Sequence, residues 1–170
     1  STAWRPKPSL SVEAWDEVDE DRNISPLGMP PESDWVLWGP YEFDLTLMHN
    51  PLIYEISNRV GRYAVRTRFV EVFLNTDGGG RASGDYWGVY ALMEKITRDE
   101  DRVDVERLFP EHDREPYVSG GYVLKIDRAD PGDSGFYAAG QTLLYVYPKE
   151  VDIERPERDP QETYIRGFFR

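Results

Sequence analysis

Sixteen arginines but only four lysines supply the positive charge of this chain, and three of those lysines, Lys95, Lys125 and Lys149, fall in or at the end of stretches that read as β-strands. Arginine would serve as a generic solubilising cation. A lysine is a compact, strongly hydrated point charge, which suits contact with phosphate. The plainer account is snorkelling, with the methylene stem on apolar surface and the ammonium in water. Lys95 closes the run DYWGVYALMEK directly after Glu94. With a strand period of two, Lys95 shares a face with Trp87, Val89, Ala91 and Met93, and Glu94 shares the other with Tyr86, Tyr90 and Leu92. The two charges therefore point apart, and each needs its own partner in side chain, ligand or water. The alternative is a strand that ends at Met93 and leaves both charges solvated.

A second set of candidates is acidic. DRADPGD places Asp127, Asp130 and Asp133 within seven residues, enough oxygen ligands for calcium or magnesium, although acidic Pro/Gly turns are commonly just solvated. The glycine-rich NTDGGGRASGD lacks the lysine and following helix of a Walker loop and does not fit the GxGxxG spacing. Its twelfth position is Tyr86 rather than a bidentate glutamate, so it is no EF-hand, and it reads as a hairpin excursion. His49 and His112 have no acid and nucleophile spaced to form a hydrolytic triad.

The elements that must position these groups are bounded by composition. With 170 residues, 39% hydrophobic and 14% aromatic, the chain can bury a core. A net charge of −12 and pI near 4.6 disfavour nucleic acid or an anionic membrane as the main partner. A small anion could still bind through a local basic pocket or a divalent cation. No run approaches the roughly 18 apolar residues of a membrane span, and no signal-like segment begins the chain. The absence of cysteine removes disulfide and thiol chemistry. A start at Ser1 and an end at GFFR, within an amphipathic pattern, read as the ends of a fragment.

Residues 1–33 form an acidic, proline-bearing lead expected to be irregular, with Trp4 and Trp15 pinning it to the body. Residues 34–170 carry the periodic elements. Asn50-Pro51 reads as a helix start, Leu52, Ile53, Ile56 and Val60 recur at helical spacing, and Gly61 is the stop. Strands are expected over 64–74, 86–96, 121–127 and 142–148, the first two forming a hairpin. RADPGDSGFYAAGQ reads as an acidic loop, TRDEDRVDVERLFPEHDRE as an exposed helical excursion, and DPQETYIRGFFR as a final helix. The fold class is α+β, an antiparallel sheet with flanking helices.

Five ordered blocks carry a resemblance: DWVLWGPYEFDLTLMHNPLIYEIS, RYAVRTRFVEVFLNTDGG, DYWGVYALMEKITRDEDRVDV, GGYVLKIDRADPGDSGF and LLYVYPKE. Together they resemble the CotH (spore coat protein H) kinase family of bacterial atypical kinases, in its secreted or surface multidomain subgroup. The resemblance implies the antiparallel nucleotide-binding N-lobe of a protein-kinase-like fold, ATP with Mg2+ or Mn2+ as cofactors, and transfer of the γ-phosphoryl group to Ser or Thr of a protein substrate. An extracellular or cell-surface location follows from the same resemblance. Lys95 is then the phosphate-contacting lysine, Glu94 its neighbour facing the other way, structural or bonded to the helix before the hairpin, and Lys125 with Asp127 a second charged contact. Tyr147, Pro148 and Lys149 correspond to the crossing that meets the adenine edge, and Asp44 and His49 to a phosphate-proximal block. Where the family carries basic residues in that block, this chain has Leu45 and His49, which permits a pseudokinase scaffold. The family's catalytic and metal-binding aspartates belong to a later Trp-Asp-x-Asp block that is missing here, so no catalytic residue is assigned and the segment alone is expected to be silent. A carbohydrate- or protein-binding β module is the alternative that the many tryptophans and tyrosines allow.

Overall fold

The computed structural model describes residues 5–80 and 83–169. Two compact units divide the chain, Ser1–Ile96 and Thr97–Arg170.

The first unit is built on a four-stranded antiparallel sheet. Strands β1 (Leu10–Glu13), β2 (Asp34–Trp38), β3 (Thr67–Phe73) and β4 (Tyr86–Glu94) lie in the order β1-β2-β4-β3. Helix α1 (His49–Arg59) joins β2 to β3 and packs Tyr54 against Val65, Ala91 and Met93. The β3–β4 hairpin matches expectation, with Thr67 opposite Met93 and Val70 opposite Tyr90. One feature of it departs from plain alternation. The register shifts between Val72 and Phe73, so that β4 carries an extra residue at Trp87, and Gly88 takes a positive φ of 106° there.

The lead is not the irregular chain its composition suggests. Leu10–Glu13 forms an edge strand on β2, and the turns after it are tied back through Ala14 N–H to Ser33 O and reciprocal Ile24–Glu32 bonds. Met29 and Trp35 are both buried, and the Trp35 indole donates to Glu32 O at 3.0 Å. Alternation in LSVE is enough for a short strand, but high local charge masks it. Trp15 is 56% exposed and bridges Asp21, while Trp4 lies outside the described residues.

The second unit holds a three-stranded antiparallel sheet, order β5-β7-β6, from β5 (Val123–Lys125), β6 (Gly135–Ala138) and β7 (Gln141–Tyr147). A short helix α2 (Glu150–Ile153) and helix α3 (Asp159–Phe168) follow. Phe136, Leu143, Tyr145, Ile153 and Ile165 form its core. Strand β6 corrects the reading of RADPGDSGFYAAGQ as loop. The turn Ala139-Gly140, both at positive φ, makes its last part a hairpin with β7.

The charged run 97–115 is not helical. It is held by bonds to buried groups: Gln161, fully buried, donates to Phe109 O at 2.6 Å and His112 O at 3.1 Å, and Arg158 donates to Leu108 O and to Gln161 Oε1. Leu108 and Arg102 are buried within it. Charge density hides these anchors because one glutamine fifty residues away supplies the partners.

Gly121 shows how tightly that segment sits. Its φ is +83°, and a Cβ would lie 2.2 Å from Glu106 O, whereas at Gly140, φ +81°, a Cβ meets nothing within 4 Å. Gly140→Ala is expected to cost about 1–2 kcal/mol, the left-handed strain alone. Gly121→Ala is expected to cost about 3 kcal/mol or more, because backbone must also move. Urea denaturation midpoints of the two variants check the difference.

Candidate functional site

The end of β4 places the two adjacent charges as the strand period requires. Glu94 is the last residue of β4, opposite Trp35 of β2, and its side chain has no exposure. Arg66 closes on it from the other side: Nη1 donates to Oε1 at 2.5 Å and the Arg66 N–H donates to Oε2 at 2.9 Å. The Tyr63 hydroxyl donates to Oε2 at 3.3 Å. Glu94 is thus bonded to the chain between α1 and β3, after the helix, where the resemblance suggested the helix itself. The register of the hairpin could have shown this, since Thr67 opposite Met93 carries Arg66 to Glu94.

Lys95 points the other way. Its ammonium donates to Asp34 Oδ1 at 2.8 Å, with side chains 49% and 35% exposed. Asp34 begins β2, one step beyond the Trp35–Glu94 pair, so the two residues are cross-strand neighbours. Such an exposed pair contributes at most about 1 kcal/mol, so the contact can be exchanged for another. Asp34 escaped the sequence reading because β2 was not recognised as the neighbour of β4.

Asp44 and His49 meet at the start of α1. The Asp44 carboxylate, 5% exposed, accepts from the Thr46 N–H and hydroxyl through Oδ1 and from the His49 N–H at 2.7 Å through Oδ2. Burial pushes its pKa up, but the Thr46 hydroxyl and the His49 and Thr46 amides outweigh this and hold it below the ordinary carboxylate range. Asp44 therefore serves the first turn of the helix, a role expected of Asn50, which lies one residue inside. The His49 ring is exposed, with Nδ1 3.7 Å from Asp44 Oδ2, and Leu45 is 86% exposed.

In the second unit Lys125 donates to Asp133 Oδ2 at 2.8 Å, and the same oxygen accepts the Asp130 N–H. The ammonium of Lys125 and the Asp130 amide hold the Asp133 pKa down. Asp127 lies beyond the end of β5, where Oδ1 accepts the Arg128 N–H, and Asp130 pairs with the Arg128 guanidinium. The three aspartates do not converge as a metal site, and among the described residues no group of three or more acids or histidines does. Each carboxylate is engaged by a cation or amide within its own turn. Tyr147 accepts the Leu108 N–H on its hydroxyl, the Tyr147-Pro148 bond is cis, and Lys149 is exposed while its carbonyl starts α2. An apolar recess of about 350 Å³ lies in this unit, lined by Val105, Tyr122, Leu124, Tyr164, Ile165 and Phe168 among others.

The CotH kinase protein family matches residues 1–164. The chain belongs to that family. Membership supports a kinase-like function in general, and with it the use of ATP and a divalent metal in general. Neither the comparison with curated proteins nor that with solved structures found a match. Among the described residues no helix is long and apolar enough to cross a membrane.

Two outcomes test the geometry. Arg66→Met leaves a buried carboxylate without its cation and is expected to cost about 3 kcal/mol, the low end for a broken buried pair because Arg66 is one-third exposed. Adding Glu94→Leu should recover much of that loss in a double-mutant cycle read by urea denaturation. Asp44, with its pKa depressed on folding, contributes stability that is present above the unfolded value near ~3.9 and lost as pH falls through the folded one. Asp44→Ala should therefore lower the melting temperature at pH 7 and match the parent once both are below the carboxylate range.

Proposed function

We propose that this CotH-family chain supplies the ATP-binding lobe of an atypical protein kinase that transfers the γ-phosphoryl group to Ser or Thr of protein substrates. The family match over residues 1–164 is the observation that carries this reading. Lys95 is the phosphate-contacting cation. It stands at the end of β4, an inner strand of the sheet, and pairs with the carboxylate of Asp34, whose side chain is 35% exposed. A triphosphate presents several charges and stronger acceptors than a single carboxylate, so it can take the ammonium from Asp34. Asp34 then holds Lys95 at the strand end until nucleotide arrives.

Among the described residues no cluster of acids or histidines is placed to seat a divalent ion, as the dispersed aspartates above show. What these residues do is bind and orient: Lys95 neutralises phosphate charge, and the Glu94–Arg66 pair fixes the strand end from which it projects. One observation favours a second reading, a pseudokinase scaffold. Leu45 and His49, at the places where the family carries basic residues, are both exposed and offer no permanent cation.

Equilibrium dialysis of labelled ATP with Mg2+ against the chain tests both. Lys95→Ala should weaken binding roughly tenfold, the loss of one charge-assisted contact, and Asp34→Asn should strengthen it a few-fold by removing the competitor. Unchanged affinity in Lys95→Ala removes the lysine from the site, and no saturable binding by the parent removes the nucleotide reading. The scaffold reading requires tighter binding in a Leu45→Arg/His49→Arg variant and fails if affinity does not move.

A further inference from the structure

Helix α1 turns its most apolar face to water. Met48, Leu52, Ile53, Ile56 and Val60, from its N-cap to its C-cap, are between 47% and 70% exposed. Towards the sheet it sets Pro51, its one buried residue, and Tyr54, while Asn58 is engaged by both backbone groups of Ala64. At 3.6 residues per turn the five apolar positions fall within one arc of about 140°, on the side opposite Pro51, Tyr54 and Asn58. Neighbours three and four apart make them one continuous ridge. A stripe of this width is what a helix normally buries, and contiguous apolar surface left exposed marks a contact site.

The charges beside the stripe indicate what covers it. Glu55 and Arg59 stand one turn apart on a single flank, joined at 2.7 Å, with both side chains more than half exposed. His49, in the first turn, is the other polar group on the outward face. When two identical helices pack antiparallel about a twofold axis, each flank faces itself in reverse order. With the axis beside Ile56, Leu52 of one copy lies by Val60 of the second, and Glu55 then Arg59 meets Arg59 then Glu55. A parallel pair loses this match, because it sets the charged flank against the uncharged one that carries Ile53.

We propose that α1 is a self-association surface through which two copies of this chain pair antiparallel, with the aliphatic stripe at the centre and reciprocal Glu55–Arg59 pairs on the flank. Each copy carries a net charge of −12, so most faces repel a second copy. The α1 flank offers one charge of each sign and matches itself. Five side chains at this exposure, with the stems of Glu55 and Arg59, present on the order of 500 Å² per copy, below the roughly 800 Å² of a standard interface. That area suits a reversible dimer in the micromolar range. This surface does not depend on the nucleotide reading, which concerns the helix start two turns before Ile56.

Sedimentation equilibrium of the chain without nucleotide, from about 1 μM to about 500 μM, tests it. Expected is a monomer–dimer equilibrium with no larger species. Ile56→Glu, at an exposed position, should leave the circular dichroism of the monomer unchanged and weaken the dimer at least roughly tenfold. Glu55→Arg and Arg59→Glu should each weaken it about threefold, since like charges then face each other, and an equimolar mixture of the two variants should associate about as tightly as the parent. A role of the Glu55–Arg59 pair within its own helix cannot be restored by mixing. The proposal is overturned if the chain stays monomeric throughout, if Ile56→Glu leaves association unchanged, if the mixture associates no more tightly than either variant alone, or if assembly continues past two copies.

Discussion

A carboxylate with no exposure, at the end of the central strand, is the constraint around which the first unit is organised. Burying Glu94 is costly unless its oxygens are matched, and three donors from one short stretch, the Tyr63 hydroxyl and the Arg66 amide and guanidinium, match them. Those donors precede β3 directly, so the match can be made only in the observed hairpin register. A slip of one residue would turn Glu94 and Met93 to each other's faces and leave the carboxylate in the apolar packing around Ala91 and Val65. An ion pair of this kind adds little net stability over an apolar substitute, and its value lies in excluding the wrong alignment. The position of Lys95 is inherited from it. With Glu94 locked inward, the next residue must project from the opposite face, where Asp34 stands across the strand.

The second unit buries a cation, Arg102, and leans on neutral and partly exposed groups, where the first is organised round a buried carboxylate. Gln161 satisfies carbonyls of a long charged connection from inside α3, and Lys125 closes the acidic turn through Asp133. Gln161 acts across 52 positions on a segment that has few apolar residues of its own, whereas Lys125 acts across eight. A loop of nineteen mixed-charge residues can be ordered this way because buried carbonyls need donors more than they need hydrophobic neighbours.

That division explains what could be read from residues alone. The β3–β4 hairpin, β7 and the helices α1 and α3 follow from periodicity, since burial of one face imposes it. The opposed directions of Glu94 and Lys95 were legible for the same reason, being a local property of one strand. Their partners were not. Arg66 and Asp34 are chosen by register and by strand order β1-β2-β4-β3, which no window of sequence contains. Strands β1 and β6 were hidden because four residues flanked by acids and glycines carry too little pattern. The helix expected over the charged run failed where charge statistics were read as exposure, although Arg102 and Leu108 are both buried.

The same register that fixes Glu94 also sets arginine at the entry to β3. Arg66 must lie at the entry to β3 to reach the carboxylate, and Arg68, two positions on, shares its face and is exposed. Arg66 is neutralised by Glu94. The shielded carboxylate and the arginines at the entry of β3 therefore follow from one strand placement, which also sets the lysine end of β4 on the adjacent strand.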